Sequence, residues 1–151
     1  MWFSFVSCLH DYILTIGTQE ISSRPTLGCV NPLQTRCPCG TGSTYDACCG
    51  PLLANVAQAS SPEQLMRSRY TAFVRGDTAH LFRTWHPRTR PEDLSPDPTT
   101  TWTGLRIVAT DGDTVEFVAT REDGQMHEIS RFEQRAGRWV YVDGDVESRV
   151  D

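Results

Sequence analysis

The segment RCPCGTGSTYDACCG, from Arg36 to Gly50, holds four of the chain's six cysteines. They fall as a C-x-C pair, eight intervening residues and a C-C pair. Disulfide geometry suits neighbouring residues poorly. Cys48 and Cys49 therefore do not readily bond to each other, and Cys37 and Cys39 are nearly as cramped. The simplest chemistry for this spacing is four thiolates on one metal ion, because Zn²⁺ takes four such ligands tetrahedrally. Cross-bridges between the pairs, thiol redox work and an iron–sulfur cluster remain alternatives on ligand type alone. Gly40 and Gly42 let the intervening loop turn back, and Pro38 stiffens the first pair. A Cys₄ set leaves no coordination place for substrate, so such a metal is structural.

A second candidate site rests on Arg69. The segment LMRSRYTAFVR carries an apolar helical stripe of Leu65, Met66, Tyr70, Phe73 and Val74. At 100° per residue Arg69 falls inside that stripe. A guanidinium there needs an internal answer, because a buried unpaired charge is costly. Glu116 and Glu128 on the later strands are the available carboxylates, and Glu128 is favoured because it shares a strand face with Ser130 and Phe132. The pair reads first as a structural ion pair. The competing reading makes Arg69 and Glu128 a polar spot in a pocket, with Arg69 receiving a small anionic ligand. No histidine pair has metal-binding spacing, and no Ser/His/Asp order or Gly-rich phosphate loop emerges.

These residues must be held by ordinary elements. Ser61-Pro62-Glu63-Gln64 reads as a helix start, with Ser61 as cap, Pro62 at the first position and Gln64 completing a capping box. Gly76 supplies a left-handed stop after Arg75. Asp77 caps a second helix, TAHLFRTW, which Pro87 ends. Residues 88–99 are loop. The period then changes to two over Trp102–Thr110, Thr114–Arg121, Gln125–Arg135 and Arg138–Asp143, separated by the tight-turn sequences DGD, EDG and AG. Helices followed by an antiparallel meander define an α+β class, with the helices on one sheet face. The tryptophans at 85, 102 and 139 are expected in one cluster.

The motif C-P-C-G-T-G-x-x-Y-x-x-C-C resembles the SEC-C motif, the zinc knuckle at the C-terminus of the translocation ATPase SecA. Thr41 stands where that motif usually has Ser, which keeps the hydroxyl. By this resemblance Cys37, Cys39, Cys48 and Cys49 are the ligands of one Zn²⁺. LMRSRYTAFVRGD, TWHP, VEF, SRF and GRWVYVDG then follow in an order that resembles the YchJ-type family, in which a SEC-C knuckle precedes a nuclear-transport-factor-2-like domain. The resemblance implies a curved sheet with helices forming a cone. It carries over no assigned activity.

The chain of 151 residues is 38% apolar and 22% charged, which suits a globular domain with a modest core. Its formal net charge of −5 argues against general nucleic-acid binding, which needs clustered Lys and Arg. No segment has the length of a membrane span. The apolar start MWFSFVSCLHDYILTI lacks the basic n-region of a secretion signal, so a cytoplasmic location is expected. Residues 1–33 read as a poorly structured leader or a start placed too far upstream, residues 34–52 as the knuckle, and 53–147 as the α+β domain. A knuckle this small cannot bury a core alone. The SEC-C resemblance implies a zinc-binding protein, of no assigned biochemical role, whose knuckle meets a protein partner; the alternative, implied by the resemblance of the fold, is a small-molecule binder or enzyme using the cone.

Overall fold

The computed structural model describes residues 35–149. The expectation for residues 1–33 lies outside them, as do Cys8 and Cys29.

Residues 35–45 form a small hairpin, with Cys37 N donating to Ser43 O and Tyr45 N to Thr35 O. Helix α1 (Gly50–Leu53) starts on Cys49 as its N-cap residue. This one-turn element is absent from the sequence reading, because four residues are too few to show a helical period. Helix α2 (Pro62–Arg75) begins and ends where the cap signals place it. Ser61 Oγ accepts from Gln64 N at 3.1 Å, and Gly76 closes the helix at φ 69°. The return half of the capping box is displaced by one residue, since Gln64 Oε1 accepts from Ser60 N at 2.7 Å. Helix α3 (Thr78–Arg83) is capped by Asp77, whose Oδ1 accepts from His80 N.

Helix α3 stops two residues before the expected end. The backbone of Thr84–His86 leaves it to pair with the sheet: Tyr141 N donates to Thr84 O and His86 N to Tyr141 O. That isolated bridge holds Trp85 against Tyr141, with their ring centroids 4.8 Å apart.

The meander forms as expected: β1 (Trp102–Asp111), β2 (Thr114–Arg121), β3 (Gly124–Arg135) and β4 (Arg138–Arg149), all antiparallel in the order β1-β2-β3-β4. β4 runs six residues beyond the expected Asp143, because β3 supplies partners as far as Gln125. Register shifts at Trp102/Gly104, Ile107/Ala109 and Arg131/Phe132 bend the sheet. Its inner face carries Val115, Phe117, Ala119 and Phe132, packed against Leu65, Met66 and Tyr70 of α2. Trp85, Trp102 and Trp139 all pack on this one cluster. The fold is α+β, as the sequence implies. Among the described residues no helix is long and apolar enough to cross a membrane.

His80 pins α3 to α2. Ser68 Oγ donates to Leu65 O, so its contact with His80 Nε2 at 2.9 Å has the imidazole as donor; Nδ1 then accepts from Arg83. Burial first, then the charges of Arg83 and Arg69, hold His80 down at about 4. The folded protein thus binds fewer protons than the unfolded chain below pH ~6.5. The stability His80 lends is complete above pH ~6.5 and is lost as pH falls toward 4, reaching about 3 kcal/mol. Replacement by Gln, which can both accept and donate at this place, should flatten the difference between urea midpoints at pH 6.5 and pH 4 relative to wild type. Equal acid slopes in the two proteins would refute this role.

Candidate metal centre and cone cavity

The hairpin and the N-cap turn of α1 bring Cys37, Cys39, Cys48 and Cys49 together, with all four Sγ atoms within 4.8 Å of one another. Cys39 and Cys48 Sγ lie 3.4 Å apart, Cys48 and Cys49 Sγ 3.9 Å. These distances are far beyond a covalent S–S bond. Cys37, Cys39 and Cys49 are buried and Cys48 is half-buried. Thr41 Oγ1 sits 3.4 Å from the Cys39 sulfur and 3.3 Å from that of Cys48. The hydroxyl kept at this position is therefore placed to donate to a thiolate. Gly40 has φ 81°, and a Cβ there would come 2.9 Å from Leu105 O of β1, so the hairpin can seat against the sheet only with glycine.

The electrostatics of the bare cluster show why it suits a cation. A hydrogen bond from Cys49 pulls Cys39 down to about 4, while Cys49, which keeps the proton, is pushed up. Burial raises Cys48. Four adjacent sulfurs cannot all ionise without a compensating positive charge. A bound metal ion supplies it, and the all-sulfur donor set fits a thiophilic ion.

Helix α2 anchors the cluster. Arg67 Nη1 donates to Cys39 O at 2.7 Å, while its Nε is held by Glu63 Oε1 at 2.8 Å. Thr71 Oγ1 lies 3.8 Å from Cys37 Sγ, and Arg75 stacks 4.2 Å from the centroid of the Tyr45 ring. Sequence reasoning missed Arg67. The signal available was an i,i+4 acid–base pair on the face of α2 opposite the apolar stripe.

The second arrangement is a cavity of about 190 Å³ between α2 and the inner sheet face, walled by Tyr70, Phe73, Trp85, Trp102 and Tyr141. Arg69 and Glu128 both line it. The direct ion pair expected between them does not form. Arg69 is buried, and its Nη1 donates to Thr84 Oγ1 at 2.9 Å and to Leu81 O at 3.3 Å. The guanidinium lies over the edge-to-face pair of Trp85 and Tyr141, 4.7 and 4.5 Å from their ring centroids. Glu128 Oε1 instead accepts from Ser130 Oγ at 2.5 Å and from Tyr141 OH at 3.0 Å. The physical reason is the ring of Tyr141, whose face meets the cation while its hydroxyl reaches the carboxylate. Glu116, the other carboxylate considered, points to the opposite face and bonds His127 Nε2 at 2.8 Å.

Burial draws Arg69 down to about 10, against the opposing pull of Tyr141 and Glu128. Burial first, then Glu128, pushes Tyr141 up. Gly144 opposite Ser130 makes room for the carboxylate, because a Cβ there would strike it. Trp85 Nε1 is buried and has no hydrogen-bond partner among the described residues.

A thiol-lined knuckle followed by helices over a curved antiparallel sheet is the arrangement of SEC-C proteins joined to a nuclear-transport-factor-2-like domain. The family model described as the middle NTF2-like domain of YchJ matches residues 61–144, and the SEC-C motif matches residues 35–51. The chain belongs to the YchJ family, whose members among its relatives carry the name UPF0225. It is 48% identical over 131 residues to a UPF0225 protein of Streptomyces avermitilis, covering 82% of this chain and 91% of that protein. A UPF0225 protein of Deinococcus radiodurans is 48% identical over 126 residues, covering 80% and 97%. Among solved structures, a SEC-C motif containing protein from Rhodopseudomonas palustris superposes with a TM-score of 0.64 at 38% identity, covering 74% of this chain and 98% of that one. Another from Psychrobacter arcticus gives 0.63 at 27% identity, covering 79% and 86%.

The geometry sets an expectation for the buried charges. Arg69→Met leaves Glu128 without its nearest cation and should cost about 3 kcal/mol, whereas Glu128→Gln, which keeps the Ser130 and Tyr141 contacts, should cost about 1 kcal/mol. Because Tyr141 stands between them, the coupling from a double-mutant cycle should stay near or below ~1 kcal/mol. A coupling of several kcal/mol in urea denaturation would show a direct pair in solution.

Proposed function

We propose that the protein is a cytoplasmic, zinc-stapled interaction module whose knuckle meets a protein partner. The observation that carries the metal is the convergence of four Sγ atoms. Sulfurs about 2.3 Å from one tetrahedral zinc stand about 3.8 Å apart, and the distances of 3.4 and 3.9 Å bracket that spacing. All four places are then protein sulfurs, so the zinc shapes the knuckle and performs no catalysis. The outward surface here joins Asp46 of the knuckle to Val56, which follows α1 and is 78% exposed beside Pro51 and Tyr45. A closed Cys₄ metal leaves no place for substrate, and the SEC-C resemblance supports protein contact as the role of the knuckle.

A second reading is favoured by one observation, the orphan Trp85 N–H beside the Arg69 guanidinium in an aromatic cavity. A small molecule with an apolar body and an anionic or carbonyl end would satisfy both donors.

Purified protein should contain about one zinc per chain by elemental analysis, with the four knuckle thiols unreactive to alkylation until chelator is added. Cys39→Ser should release most of the metal. Metal-free folded protein with four reactive thiols would refute the centre. Zinc affinity should fall as pH falls, since each thiolate must compete with a proton.

The partner surface is tested separately. Val56→Asp, an exposed position outside the sulfur cluster, should keep zinc and fold yet lose the proteins that crosslink to wild type in cells. An unchanged crosslinking pattern would remove this face from the reading, and thermal stabilisation by small carboxylates, abolished in Arg69→Met, would favour the cavity instead.

A further inference from the structure

A cleft separate from both the sulfurs and the cone lies where α1, α3 and the tip of the β3–β4 hairpin meet. Its volume is about 100 Å³. Arg83, Arg135 and Arg138 line it, together with Asn55, Gln58 and Trp139. Among the described residues no carboxylate contributes to its wall. Three guanidinium groups thus share one small concavity in a chain whose formal net charge is −5.

The register makes this arrangement costly in the absence of a counter-charge. Arg135 and Arg138 are directly opposite across the two-residue turn Ala136-Gly137, whose φ values are 48° and 76°. Like charges in that relation are destabilising. Arg83 approaches from α3, and its Nη2 is committed to Leu52 O, Leu53 O and His80 Nδ1. Arg135 is partly engaged, with Nη1 3.1 Å from His86 Nε2 and Nε 3.7 Å from Glu133 Oε1. The Arg138 side chain is exposed and has no hydrogen-bond or ion-pair partner among the described residues.

Ser68 and His80 lie at the floor of the same cleft, but they make no nucleophile. The Ser68 proton is spent on Leu65 O, and His80 donates to Ser68 rather than accepting from it.

We propose that this cleft binds a tetrahedral oxyanion, either free phosphate or the phosphoryl group of a larger molecule, with Arg138 as the main contact. The planar fork of a guanidinium pairs two of its N–H groups with two oxygens of such a group. An oxyanion between Arg135 and Arg138 also cancels the repulsion across the turn. The volume admits one compact group and leaves anything attached to it outside, in solvent. The inference depends neither on the metal nor on the cone.

The test uses the full, metal-loaded, ¹⁵N-labelled chain, titrated with inorganic phosphate at ionic strength held constant with sodium chloride. The Trp139 indole N–H and the Ala136 and Gly137 amides should shift saturably. Arg138→Gln should weaken that binding by about tenfold or more, the loss expected for one charge-assisted contact, and Arg138→Lys should weaken it less. In phosphate-free buffer Arg138→Gln should melt above wild type, and added phosphate should close the gap. Glycerol phosphate run in parallel separates the sources. Binding as tight as phosphate points to a phosphoryl group on a larger molecule, and binding of inorganic phosphate alone points to the free ion; either supports the site. Non-saturating shifts that sodium chloride reproduces, or an Arg138→Gln protein that binds like wild type, would overturn it.

Discussion

Helix Pro62–Arg75 has to be buried on two sides at once, and most of the structure follows from how it does so. Leu65, Met66 and Tyr70 face the sheet and join Phe117 and Phe132 in one core. Ala72 faces the other way and packs with Cys37, Cys39, Cys49, Leu53 and Leu81 in a second. A surface helix with one apolar stripe can cover a sheet but cannot hold a second body. Here the second side works through polar groups whose ends are fixed: Arg67 on the Cys39 carbonyl, Thr71 beside Cys37, and Arg75 over Tyr45. The knuckle therefore needs no large core of its own. It borrows one face of the helix that closes the cone.

The same helix carries a charge into the interior. A buried guanidinium is tolerated only when its donors and its field are both answered. Thr84 and the Leu81 carbonyl answer the donors, and two aromatic faces with Glu128 nearby answer the field. Both Thr84 and Trp85 are in place because α3 ends early and its backbone crosses to Tyr141. The short helix and the buried arginine are thus one feature. A third turn of α3 would carry Thr84 and Trp85 away from the guanidinium and leave it unpaired.

Much of this was legible in the sequence because it is local. Caps at Ser61, Gly76 and Asp77 act within one turn, and tight turns at DGD, EDG and AG act between adjacent strands, so residue type alone locates them. The cysteine spacing is local in the same sense. What the sequence left hidden depends on contacts made across the fold. The four residues of α1 have too short a period to read, and their end is held by Arg83, about thirty residues away in the chain. Placing Arg69 on the inner face was within reach of helical periodicity, but its partner was not, because periodicity says nothing about the aromatic ring that came between it and Glu128. The arginine pair at the hairpin tip is the opposite case. R-A-G-R announces two like charges across a two-residue turn, and the signal is visible in the sequence once register is considered.

The knuckle and the arginine cleft are joined by an unbroken run of contacts. Cys49 is both a member of the sulfur cluster and the N-cap residue of α1. The carbonyls of Leu52 and Leu53 at the end of that helix accept from Arg83, and Arg83 forms one wall of the cleft. Contiguity alone is not coupling, which requires an element with two states that both sites bias. A single turn is unstable by itself, because nucleation orders several residues for one hydrogen bond. Helix α1 packs between the sulfur cluster at Cys49 and the Arg83 guanidinium at the Leu52 and Leu53 carbonyls. The sulfur cluster and the arginine cleft thus share one short element, with Cys49 at its start and the two carbonyls that hold Arg83 at its end.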